Sequence, residues 1–314
     1  MTSPDNQIIN DNHQYCSIVR NKWGLGGAST RNNMTAMMLE SQSRHFAQLT
    51  AESKELTRLT SEFEQSLYRE MKTQLRVHVL PELCSIQPMT GPIGTVNWYQ
   101  QIVSRQLEAD TAEDTEDVPT VRLNIATTPI AAEARAIRAC GFGGSQIPLG
   151  LVVDEALTEI AREVIGTAFN ACKERTDDVQ PRSTLADQVN RSAGLIHRES
   201  MRAAANRLIA GESMLRELGV TIPSPVKGHI QSLGVWNGRY RVYLDPLFPE
   251  GKLMLWYQSD TSLLDTGLIY SPYVLFQFSN TAVNPPSDMS VDVVARTRHK
   301  ISLVDPRFFR VVQR

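Results

Sequence analysis

From Arg239 to Asp245 polar and apolar positions alternate, with Arg239, Arg241 and Tyr243 on one face and Tyr240, Val242 and Leu244 on the other. A period of two marks a half-buried strand. Lys252 to Tyr257 predicts a second strand, rich in large apolar residues. Leu268 to Tyr270 begins a third, which Ser271-Pro272 stops, since proline lacks the amide donor of a central ladder and belongs at an edge or an exit. LFQFS after Val274 resumes as strand, Asn284 to Asp288 (NPPSD) predicts a turn, and Val291 to Val304 a last long strand. Upstream, Val96 to Gln106 and Val118 to Thr128 predict a hairpin, with Val121, Leu123 and Ile125 alternating with Arg122 and Asn124.

Helical patterns fill the rest. Thr35 to about Leu80 has no proline until Pro81 and is dominated by Ala, Leu, Glu, Lys and Arg. Leu49, Leu56 and Phe63 recur every seven residues, and Leu39, Phe46 and Leu67 fall near a second row. One continuous helix of that length spans on the order of 60 Å or more. Such a rod has to lie along a neighbour or pair with another helix, as an assembly arm or as a core helix of the subunit. Asp154 to Arg175 places Leu157, Ile160, Val164, Ile165 and Phe169 on one face. Ser192 to Leu218 also reads as helical, with a break at Gly211. Residues 1–32 are polar and predict a poorly ordered arm; Thr176 to Arg182 predicts a polar linker. Helix and strand blocks mix without βαβ alternation, so the class is α+β.

Composition narrows the function. A chain of 314 residues predicts about two domains. A formal net charge of −2 argues against a dedicated nucleic-acid binder. The four cysteines (Cys16, Cys84, Cys140, Cys172) form no CxxC, which leaves zinc and dithiol chemistry without support. No apolar run approaches the roughly 20 residues of a membrane helix, and no signal-peptide core is present. Trp23 to Ser29 (WGLGGAS) lacks the Lys-Ser/Thr of a phosphate loop and reads as a flexible joint. Cys140 to Gln146 (CGFGGSQ) lacks the strand-turn-helix spacing of a dinucleotide fingerprint and reads as a hinge. Glu159 and Glu163 share a helix face, an arrangement open to acid–base work, but Arg162 and Lys173 beside them suit a solvated surface. His197 near Glu199 reads as a solvated helix residue rather than a metal ligand or base. No catalytic, cofactor or metal residue is therefore expected.

Two charged stretches stand out. Between the hairpin strands, Glu108, Asp110, Glu113, Asp114, Glu116 and Asp117 place six carboxylates within ten residues, which repel one another and favour a solvated tip. The spacing lacks the glycine and terminal Glu of a calcium loop. On the last strand Arg296, Arg298 and Lys300 alternate with Thr297, His299 and Ile301. This basic row suits either an acidic row on another subunit or a charged edge that discourages aggregation. Glu113, Asp114, Glu116, Asp117, Arg296 and Arg298 are the candidate subunit-interface residues.

Asn237 to Pro246 (NGRYRVYLDP) followed by Leu263 to Val274 (LLDTGLIYSPYV) resembles the major capsid proteins of contractile-tailed, T-even-like bacteriophages, where a G-K/R-Y-R-V-Y-I/L-D strand precedes a D-x-G-I/L-Y-Y/S-x-P-Y-V strand. Gln87 to Gly94 (QPMTGPIG), Leu157 to Ile165 (LTEIAREVI) and Ala295 to Pro306 (ARTRHKISLVDP) resemble further elements of that family. The resemblance implies an HK97-like fold, with an N-terminal helical arm over 1–86, an extended E-loop hairpin over 95–130, a peripheral domain from 87–94, 131–190 and 275–314 carrying the spine helix, and an axial domain over 191–274. It implies a structural protein that assembles as hexamers or pentamers into an icosahedral head around DNA. The partners implied are further copies of the chain, scaffold, portal and decoration proteins, and packaged DNA contacted non-specifically. The location implied is the virion, after assembly in the host cytoplasm. Relatives lose an N-terminal segment at a hydrophobic-x-Glu site, which Met38 to Glu40 matches. Alternatives are a vertex paralogue or encapsulating compartment of the same fold, a metal-dependent α+β enzyme using the acidic loop, and a scaffold built on the long helix. The last leaves the C-terminal sheet unexplained.

Overall fold

The computed structural model describes residues 14–52, 57–104, 120–143, 149–180, 182–224, 228–281 and 290–314. Helix α1 covers 14–22, and α2 (Thr30–Glu52), α3 (Thr57–Val77) and the single turn α4 (Leu80–Leu83) follow. The expected rod is therefore two helices. Trp23 donates through Nε1 to Glu40 of α2 at 3.1 Å and packs on Tyr68 of α3 at 5.1 Å. Arg31 at the start of α2 donates to the carbonyl of His78, just past α3. These pairings require α2 and α3 to run antiparallel. Met34, Met38, Leu39, Leu67, Met71 and Leu75 are fully buried between them and the rest of the subunit. For Leu39 and Leu67, the members of the stripe with described side chains, this favours the core-helix alternative over the assembly arm. The side chains of Leu49, Leu56 and Phe63 lie outside the described residues.

The 23–29 link takes a defined turn. Gly24 and Gly27 adopt φ of +59° and +74°, the left-handed region where a Cβ is strained. Lys72 holds the turn by donating to the Trp23 carbonyl at 2.6 Å.

Strand β1 (Ser85–Ile86) leads to β2 (Ile93–Ser104) and β3 (Thr120–Ala131), which pair antiparallel over their whole length, as the alternation predicts. Strand β4 (Glu133–Gly143) pairs with β11 (Ser290–Leu303), which pairs in turn with β10 (Leu268–Thr281). The four-stranded sheet has the order β1-β10-β11-β4. Gly141 and Gly143 oppose Asp292 and Ser290 in that ladder, so Cys140 to Gly143 is paired strand and not a hinge. Pro272 does not stop β10; it sits at a shift in register, where a missing amide is tolerated. Helix α2 covers the free edge there. Gln42 donates to Phe276 O and accepts from Phe276 N, both at 2.8 Å, and Ser41 donates to Pro272 O at 3.1 Å. Side chains thus replace the strand that the edge lacks.

Helix α5 (Leu149–Ala171) lies across this sheet with Leu157, Ile160, Val164, Ile165 and Phe169 buried, as expected. Next come β5 (Thr176–Asp178), α6 (Leu185–Ser200), β6 (Arg207–Ala210), α7 (Glu212–Glu217), β7 (Gln231–Trp236), β8 (Tyr240–Leu244), β9 (Lys252–Trp256) and finally β12 (Phe309–Gln313). They form a six-stranded sheet of order β5-β12-β9-β6-β8-β7. Two expectations fail here. Residues 207–210 are a central strand rather than helix, because all four side chains are buried between two layers. Thr176 to Asp178, in the expected linker, pairs in parallel with β12. The alternation of β8 is real, but both faces are covered. Tyr240, Val242 and Leu244 pack toward α6 and α7, while Tyr243 stacks on Trp256 at 5.8 Å in the larger core shared with α5. Each such buried side chain contributes about 1.5–3 kcal/mol.

Candidate assembly surface

The base of the hairpin is held by its own polar residues. Gln87 Nε2 donates to Asn97 O at 2.7 Å, and Asn97 N donates to Gln87 Oε1 at 3.0 Å. Met89, Val96, Ile130 and Ile269 form a small core beneath it. Tyr99 N donates to Leu264 O at 2.9 Å, and Arg202 stacks on the Tyr99 ring at 5.7 Å. Beyond Tyr99 the ladder runs five more pairs to Ser104 opposite Thr120. At about 3.4 Å per residue that carries the strand ends some 17 Å further out. Glu113, Asp114, Glu116 and Asp117 lie in 105–119, outside the described residues.

Strand β11 presents the basic row as expected. Arg296 and Arg298 are exposed, whereas Ala295, Thr297 and His299 are buried. Lys300 is paired with Glu133 of β4. The inward residues fasten the row to its neighbours: Thr297 Oγ1 donates to Val274 O of β10 at 2.9 Å, and His299 Nε2 lies 3.3 Å from Glu163 Oε2 of α5. Arg135 Nη1 reaches Glu163 Oε1 at 2.6 Å. Burial alone pushes the Glu163 carboxyl up, but His299 and Arg135 together bring it below its ordinary value. Glu163 is therefore a link between strand and helix, unlike the solvated residue expected, while Glu159 pairs with Arg162 at 3.2 Å. On α2, burial and then the Arg298 charge lower the His45 pKa. The structure thus brings Arg296 and Arg298 together on one exposed face; nothing places the acidic tip against them.

A second ionic cluster was not visible in the sequence. Arg310 of β12 donates to both oxygens of Asp177 at 2.6 and 2.8 Å, and Glu199 of α6 pairs with both Arg310 and Arg175. These partners come from segments more than a hundred residues apart. His197 is exposed at the end of α6, its Nδ1 against Arg202 O. Burial raises the thiols of Cys16, Cys84 and Cys172 to about 11, 12 and 12, which keeps them protonated and unreactive. Among the described residues no three His, Cys, Asp or Glu side chains are grouped to hold a metal ion, and no helix is long and apolar enough to cross a membrane.

A long β-hairpin, a helix crossing a four-stranded sheet and a second, six-stranded sheet make this an α+β chain. A family model described as major capsid protein Gp23 matches residues 150–309, just over half of the chain, and the chain belongs to that family. The match begins at α5, so the hairpin and the helices before it lie outside it. No curated protein matches the chain. Among solved structures it is similar to a Microbacterium phage Oxtober96 chain, with 13% identity, TM-score 0.48 and coverage of 76% of this chain and 91% of that one. It is also similar to a virus-like particle from Pyrococcus furiosus, with 11% identity, TM-score 0.47 and coverage of 82% and 100%. A satellite phage P4 procapsid chain gives 14% identity, TM-score 0.44 and coverage of 80% and 98%. The assignment rests on the family match, not on these distant likenesses. The protein is a structural component of a phage capsid, built from many copies of itself.

Proposed function

We propose that the chain forms hexamers and pentamers that tile an icosahedral head around packaged DNA, with the acidic tip of one copy docked on the basic row of the next. The single observation carrying this is the hairpin. Its ladder is antiparallel from Ile93 opposite Ala131 to Ser104 opposite Thr120, well past the base anchored at Gln87 and Asn97. Arg296 and Arg298 are exposed, and among the described residues neither makes an ion pair. Each contact can be modest, because a closed shell repeats interfaces of about 800 Å² per partner many times.

In this reading the helices before residue 87 brace the subunit, the hairpin over 95–130 is the E-loop, and 87–94, 131–190 and 275–314 make the peripheral domain. The axial domain over 191–274 takes β12 as an added strand. Assembly takes place in the host cytoplasm with scaffold, portal and decoration proteins, and involves no catalytic step. Replacing Glu113, Asp114, Glu116 and Asp117 with Ser tests the docking. The expected outcome is unchanged melting of the free subunit and a reduced yield of particles, since exposed pairs contribute at most about 1 kcal/mol each to one fold. Wild-type assembly should weaken with salt, as the screening length falls from about 10 Å at 0.1 M to about 3 Å at 1 M. Normal particles at normal yield from the variant contradict the docking.

A further inference from the structure

We propose that the recess between the start of α2, α4 and the six-stranded sheet is an oxyanion pocket that takes one phosphate or carboxylate group. The cavity has a volume of about 270 Å³, and its charged walls are Arg31, Arg207, Arg241, Glu82 and Asp260. Three guanidinium groups face two carboxylates, so one positive charge is left over. A singly charged oxyanion balances it.

The charges are fixed by the fold. Arg207 and Arg241 oppose each other in the parallel pairing of β6 with β8. Like charges side by side on neighbouring strands are destabilising unless an anion bridges them. Asp260 bridges them in part: Arg207 Nη2 donates to Oδ1 at 2.6 Å, while Arg241 Nη2 stands 3.4 Å from Oδ2. Arg207 is only 2% exposed, and its Nε donates to Glu82 O at 3.3 Å. Glu82 is already engaged, by Arg31 at 3.3 Å and by the Tyr243 hydroxyl at 2.9 Å. The acids present are thus shared among the three arginines that line the cavity. Arginine forks bind planar and tetrahedral oxyanions in pairs of charge-assisted hydrogen bonds. A recess of about 270 Å³ has room for a small ion or a single acidic side chain, not for a duplex backbone. An ion there joins the N-terminal helices to the six-stranded sheet, and binding to the folded state alone raises its stability.

The test uses inorganic phosphate against chloride at matched ionic strength, with melting of the free subunit as readout. The wild type should melt at rising, saturating temperature with phosphate. Arg241→Gln, at a half-exposed position, should lose that rise. Equal rises in the two proteins, or no phosphate-specific rise in the wild type, overturn the pocket. Should Arg241→Gln fail to fold, exchange broadening of the phosphate 31P signal decides on the wild type alone, and its absence overturns the pocket. Repeating the 31P measurement on assembled particles separates the sources. Broadening lost on assembly means that a carboxylate of a neighbouring copy fills the pocket, whereas broadening retained means that a free ion does.

Discussion

The same substitution, Gly to Ala, should act with opposite sign at two positions. Gly267 lies where the end of β11 and the turn before β12 close over the start of β10. Its carbonyl accepts from Val304 N at 2.9 Å. A Cβ there meets Phe309 Cε2 at 2.6 Å, Asp305 O at 2.8 Å and Phe308 Cβ at 2.8 Å. The ring edge can rotate; the carbonyl and the Phe308 Cβ are tied to the backbone and cannot yield without moving the turn. Overpacking of this kind costs about 1–3 kcal/mol or more. Gly166 sits inside α5, and a Cβ there meets nothing within 4 Å. Alanine in a helix interior is better than glycine by about 0.5–1 kcal/mol. At about 2–4 °C per kcal/mol for domains of 150–250 residues, Gly267→Ala should lower the melting temperature of the free subunit by several degrees. Gly166→Ala should raise it by about 1–4 °C. Urea unfolding of both gives the same ordering without depending on assembly. A Gly267→Ala protein that melts within about 1 °C of wild type refutes the packing of this turn.

Acid should destabilise the subunit from near pH 6.5 downward. His78 is held neutral, with a pKa of about 3, chiefly by burial and then by the charges of His229 and Arg31, against an ordinary 6.5. Its Nδ1 accepts from Leu80 N at 3.1 Å, which neutrality permits. Between the two values the unfolded chain binds the extra proton, so this contribution is complete above pH 6.5 and is lost as pH falls toward 3, at up to about 1.4 kcal/mol per unit. His78→Gln should flatten stability against pH in that range; an unchanged slope contradicts the assignment. Glu163 and Glu199, both held below their ordinary 4.5, add a further loss that begins only below that value. Met38 and Leu39 are fully buried in the middle of α2, so a Glu-specific protease should spare the bond after Glu40 in the folded subunit. Rapid cleavage there under native conditions contradicts the packing of α2.

Much of this fold is legible in one-dimensional pattern. The apolar face of α5 and the alternation of β3 and β8 translate directly into buried faces. What was missed has physical reasons. Arg207 to Ala210 is too short to show a period and is buried on both sides, so it merges with the helical pattern before it. Asn237 and Gly238 adopt φ of +52° and +64°, the turn that joins β7 to β8; this Asn-Gly pair was the available signal for β7. No glycine or proline separates α2 from α3, so periodicity alone could not tell a rod from a pair folded together. The link from Glu163 to His299 and that from Asp177 to Arg310 join distant segments, and such pairings exist only once the sheets have formed. The exposure of Arg296 and Arg298 was legible because exposure on a strand follows from alternation.

A chain that builds a shell from copies of itself reveals this in sedimentation of the purified protein, with electron microscopy of the same fractions. The expected species lie far above the 35.1 kDa monomer and resolve as rings or closed particles that disperse as salt is raised. A protein that stays strictly monomeric across a broad concentration range, alone and with phage partners, contradicts it.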